Sequence, residues 1–210
     1  MEPSTVDALL PLSLLEAVRA IDTPQGDHDA EYVAELRNKK LGLSDTVYAQ
    51  IRRYNDAVKR SQRIPLDEAL ALARLVGRRP DAEDVFRTGG RFLAGRSYAT
   101  LSPVSRKLMR TLPSVFSRPL ALRRMRRLAD RYLNGAVSRL ATSVLLDVPV
   151  SVTAASAPRQ VGCSYYEAAL RELLQLLVGG SGAVEHVRCL TRGEGSCEWR
   201  AEWRSVRGGA

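Results

Sequence analysis

All three cysteines of this 210-residue chain, Cys163, Cys189 and Cys197, fall in its last quarter, and one of its two histidines, His186, lies among them. The order is Cys163, 22 residues, His186, two residues, Cys189, seven residues, Cys197. Three thiolates and an imidazole make a complete tetrahedral set for zinc, with no coordination position left open for water. A closed site of this kind staples structure and activates nothing. The spacing lacks the short paired Cys-x2-Cys knuckle, so on their own these residues also fit buried packing cysteines, thiol redox chemistry or a Cys–His nucleophile. The last two are poorly equipped. No Cys-x-x-Cys pair is present, and no residue is evident to orient a catalytic histidine.

The elements that must bring these residues together are readable. Cys163 opens a helix running to about Val178, apolar through Tyr166, Ala169, Leu170, Leu173, Leu174 and Leu177 and ended by Gly179-Gly180. A helix N-terminus favours a thiolate. Two strands follow, roughly Val184–Leu190 and Cys197–Arg204, joined by a turn holding Gly193 and Gly195. In the second, Cys197, Trp199, Ala201 and Trp203 alternate with Glu198, Arg200, Glu202 and Arg204, so one face packs and the other meets water. His186 and Cys189 are three apart, and a regular strand points them to opposite faces. A bulge or bend at Val187–Arg188 is therefore required, with Glu185 as the alternate ligand if the bend falls differently.

Upstream, Ala8–Ile21 reads as a short leucine-rich helix or docking strip. Ser44 caps a helix with Val47, Ile51, Tyr54 and Val58 on one face. Pro65 and Pro80 each precede acidic first turns, the second helix containing Gly89-Gly90, which weakens it or admits a close neighbour. Leu120–Leu133 forms a further helix with a core stripe of Leu122, Met125, Leu128 and Tyr132. Val144–Val152 reads as a strand with an edge or bulge at Pro149. The order, helices and then strand–helix–strand–strand, makes the fold class α+β. Its expected divisions are a helical N-terminal extension over 1–84, a ligand-binding domain over 85–206 and a frayed tail over 207–210.

A hydrophobic content of 45% with 26% charged residues argues against disorder. No apolar run reaches the ~20 residues of a membrane span, and the first twenty residues lack the basic start of a secretory signal. A cytoplasmic protein with reduced thiols is expected. The net charge of +9 is concentrated: residues 91–139 carry twelve bases, eleven of them arginine, against the single acid Asp130. Arg123, Arg124, Arg126, Arg127 and Arg131 crowd one helix and are candidate contacts for an anionic partner, or simply a solvated face.

The helix CSYYEAALRELLQLLVGG and the following AVEHVRCLTRGEGSCEWRAEW resemble the vinyl-4-reductase domain family of bacterial hydrocarbon-binding proteins. The resemblance is most convincing over 135–206. The family includes a bacteriochlorophyll-biosynthesis protein and the sensory domains of aromatic-responsive transcription activators. It shares a fold with Golgi-tethering subunits and NO-signalling ligand-binding domains. In the aromatic sensors, the resemblance implies, positions matching Cys163, Cys189 and Cys197 bind a structural zinc together with a glutamate, where this chain has His186. The implied function is non-catalytic binding or sensing of a small hydrophobic or aromatic molecule by a homodimer, its pocket lying between helices and sheet.

Large apolar residues in or near that domain, Phe92, Tyr98, Phe116, Tyr132, Tyr166 and Trp199, are the candidate lining, each of a type that ordinarily packs in a core. Two alternatives stand beside this reading. One is an accessory or reductase-like role in tetrapyrrole metabolism, with the arginines pairing pigment carboxylates and an external electron source. The other is nucleic-acid binding through the Arg-rich 91–139 segment, which no helix-turn-helix or zinc-finger spacing supports.

Overall fold

Leu9, Leu10, Leu12, Leu14 and Leu15 leave helix α1 (Leu9–Asp22) almost no polar face, and such a helix has to be buried. In the computed structural model, which describes residues 5–23, 41–111, 114–140, 142–180 and 182–202, all five leucines are at most 3% exposed. The short strand β1 (Thr5–Asp7) leads into α1, and the Asp7 carboxylate accepts the Leu9 amide proton at 2.9 Å, satisfying a donor at the helix start. Asp22, at the other end, accepts a bidentate pair from Arg79 and a further bond from the Gly42 amide.

Helix α2 (Asp45–Lys59) is capped by Ser44, whose hydroxyl accepts from the Val47 amide, and it buries Val47, Ile51 and Tyr54 as their spacing predicts. Strand β2 (Arg63–Pro65) pairs antiparallel with β1 and delivers Pro65 to the N-cap of α3 (Leu66–Gly77). Helix α4 (Ala82–Ala99) follows. Its Gly89-Gly90 pair serves close approach: a Cβ on Gly90 would sit 2.1 Å from the Tyr165 carbonyl oxygen. Helix α5 (Pro103–Thr111) precedes α6 (Ser114–Leu128), which starts six residues before the expected Leu120 and ends in a π turn at Ala129–Leu133.

The sheet is four-stranded and antiparallel in the order β3-β4-β6-β5, formed by β3 (Ala136–Leu140), β4 (Ser143–Val148), β5 (Val184–Arg188) and β6 (Cys197–Glu202). The expected strand–helix–strand–strand therefore becomes strand–strand–helix–strand–strand, with α7 (Ser164–Val178) between β4 and β5. Strand β3 escapes a periodicity reading because it is an edge strand with only Val137 buried. The expected strand through Val152 stops at Val148; Pro149 cannot donate to a ladder, and the chain leaves the sheet there. Residues of the N-terminal helices and of the sheet belong to one continuous apolar core, with α7 lying against α4 and α1 against α4. Among the described residues, no helix is long and apolar enough to cross a membrane. The expected frayed tail, 207–210, lies outside the described residues.

Candidate metal centre

Cys163 sits immediately before α7, at the end of the 3-10 turn Pro158–Cys163. Gly162 is what brings it there: a Cβ at that position would overlap the Thr153 carbonyl oxygen at 1.7 Å, while the Thr153 hydroxyl donates to the Gly162 carbonyl at 2.6 Å. Cys197 opens β6 on its buried face, followed by Trp199 and Ala201, all three fully buried. On β5, His186 pairs with Trp199 and Arg188 with Glu198, and the register slips between them. The extra residue, Val187, is the bend that the spacing demands. It turns Cys189, fully buried, to the same side as His186. Glu185 pairs with Arg200 and is exposed, so the alternate ligand stays out of the group.

The ligating atoms of Cys163, His186, Cys189 and Cys197 all lie within 4.8 Å of one another, close enough to hold a metal ion. The Cys163 and Cys189 sulfurs are 3.7 Å apart. That is far beyond a disulfide bond and close to the ~3.8 Å edge of a tetrahedron with metal–sulfur bonds of about 2.3 Å. The cysteines are all free thiols, at most 3% exposed. The Cys197 thiol is lowered to about 6, first by its hydrogen bond with Cys163 and then by the Leu190 amide, which donates to its sulfur at 3.3 Å. The same contact, together with burial, pushes Cys163 up. A thiolate is thus already favoured at one corner of the group. The His186 Nε2 is buried without a hydrogen-bond partner among the described residues, an orphan that a ligand role would explain.

Residues around the turn hold this geometry, and spacing alone does not reveal them. The Glu194 carboxylate accepts the Cys189 amide proton at 2.6 Å, and the Thr191 hydroxyl lies 2.9 Å from the Cys189 sulfur. Gly193 and Gly195 take positive φ of 80° and 78°, a backbone that side chains resist, and let the turn close. Behind the group stands an aromatic column. His186 stacks on Trp199 at 4.9 Å, Trp199 on Tyr166 at 5.1 Å, and Tyr165 meets Tyr166 edge-on at 5.3 Å. Tyr165 in turn shares a 2.7 Å hydrogen bond with Ser13 of α1.

The other candidate residues are scattered. Tyr166 and Trp199 are fully buried in that column, and Tyr98 and Tyr132 are each 5% exposed. Phe92 is 39% exposed because the inward face of α4 is taken by Leu93, Gly89 and Gly90. Phe116 lies outside the described side chains. Of the arginines, Arg124 donates to the Ser105 hydroxyl at 3.0 Å and Arg126 to the Val137 carbonyl at 3.0 Å. Arg131 lies 3.6 Å from the Asp7 carboxylate and donates to the Ser61 hydroxyl at 3.1 Å. Arg123 and Arg127 point outward with no partner among the described residues.

These observations define an α+β protein with a Cys3His group, its three cysteines buried, at one end of its sheet. Comparison with protein-family models, with curated proteins and with solved structures finds no match to the chain.

Proposed function

We propose that this chain is a non-catalytic binding or sensing domain for a small hydrophobic or aromatic molecule, acting as a homodimer and stapled by a structural zinc. The observation that carries the zinc is the convergence of four donors, contributed by a helix start and two strands, within 4.8 Å. Sulfur and imidazole donors in a closed tetrahedral set suit zinc better than the hard cations, which seek oxygen. Zinc bound there supplies a rigid crosslink and leaves no position for substrate.

The protein's own residues do the rest. Cys163 fixes the start of α7, Cys189 and Cys197 fix the two sides of the terminal hairpin, and the Trp199–Tyr166 stack between them is held in register. The ligand reading is supported by the resemblance to the vinyl-4-reductase domain family, carried by the same four positions and by the α+β order around them. A ligand would act by favouring one of two arrangements of the domain or its dimer, through differential affinity for them.

The test is a thermal-shift screen of the zinc-loaded chain against phenols and alkylbenzenes. A saturable rise in melting temperature for a subset of one chemical type supports binding. No shift across the panel contradicts it.

A further inference from the structure

Two clefts on the helical side of the molecule adjoin at Leu9 and Arg96. One, of about 260 Å³, is lined further by Leu12, Glu16, Arg19 and Phe92. The other, of about 290 Å³, continues past Val58, Ala99 and Tyr132. Leu9, Leu12 and Tyr132 are buried, whereas Phe92 leaves 39% of its surface open on a stretch of α4 whose other outward residues include Arg91 and Arg96. Phe92 thus gives the cleft one exposed apolar wall.

The charges around the clefts are unequal. Glu16 is the single acidic residue among the described lining of either cleft, and it is already paired with Arg19 at 2.8 Å. Arg96, at the junction, donates to the neutral Asn55 side chain at 3.0 Å, and among the described residues no carboxylate pairs with it. A neutral hydrocarbon would leave this guanidinium without an anion. An inorganic anion would leave the exposed Phe92 ring uncovered.

We propose that the groove binds an amphiphile carrying one anionic head group and an apolar tail, the head on Arg96 and the tail against the exposed ring of Phe92. This inference rests on the small-molecule reading above and gives it a site and a ligand class. A guanidinium suits the head because its fork donates two parallel hydrogen bonds to a carboxylate or phosphate.

Isothermal titration of the full, metal-loaded chain with decanoate, decan-1-ol and acetate tests it. Decanoate is expected to bind one per chain, decan-1-ol about tenfold more weakly or worse, and acetate not measurably. Arg96→Gln should abolish the preference for decanoate over decan-1-ol, and Phe92→Ala should weaken both. Both residues are exposed, so an unchanged melting temperature of the free variants checks the fold. Equal affinity for the acid and the alcohol overturns the proposal, as does decanoate binding that Arg96→Gln leaves unchanged. Binding that survives both substitutions overturns this site while sparing the small-molecule reading. Silence toward decanoate, decan-1-ol and the phenol panel alike overturns both.

Discussion

The cysteine–histidine end of the sheet and the arginine-rich helix α6 are the two regions where reactive or charged residues concentrate, and they are organised in opposite ways. Cys163, His186, Cys189 and Cys197 come from three separate elements and up to 34 residues apart, yet converge within 4.8 Å, with the three cysteines buried and His186 half-buried. The arginines of α6 are neighbours in sequence and diverge in space. Arg124 reaches Ser105, Arg126 reaches the β3 carbonyl of Val137, and Arg131 reaches Asp7 and Ser61. A helix spreads adjacent residues around its axis, so a run of like charge becomes several single contacts instead of one site. Donors far apart in sequence are brought together only when the fold is built around them.

This contrast can be broken most forcefully at Cys197. Cys197→Ser should abolish stoichiometric metal binding and lower the melting temperature by on the order of 10 °C or more, because metal binding and folding are linked. A variant that keeps the wild-type melting curve would reduce the cysteines to packing. Next in size is Glu194→Ala, which removes the acceptor for the Cys189 amide. Competition with a chelator should show metal affinity about tenfold lower, the scale expected when the support of a ligand is lost.

At the arginine helix, effects should be smaller and individual. Arg126→Gln loses a bond that ties α6 to the edge strand β3 and should cost about 1 kcal/mol in denaturant unfolding. Arg123→Gln with Arg127→Gln should stay within about 0.5 kcal/mol, since neither has a partner among the described residues. Should that pair instead prove the most damaging, α6 holds a site and the contrast fails.

The Cys3His group was the most legible part of the sequence. Its donors are chemically distinctive residues of low abundance, and the demand that His186 and Cys189 face one point led to the bulge that the β5–β6 register shows at Val187. The long apolar helices were legible for a related reason: Val47, Ile51 and Tyr54, or Leu170, Leu173 and Leu174, repeat at helical spacing and are buried accordingly. Strand β3 was not, because a mostly exposed edge strand carries no alternation to read.

Phe92 lies on the open side of α4, at the wall of a cleft. Hydrophobicity says that a side chain gains from burial, but the glycines beside it decide which face of α4 the neighbouring helix occupies. Glu194 and Thr191 were equally invisible, since support for a ligand comes from turn geometry and not from spacing.

The most direct test of the account is zinc analysis of untagged protein combined with X-ray absorption at the zinc edge. One zinc per chain is expected, with three sulfurs at about 2.3 Å and one nitrogen at about 2.0 Å. A folded chain that purifies without metal and takes up none when zinc is added would contradict it.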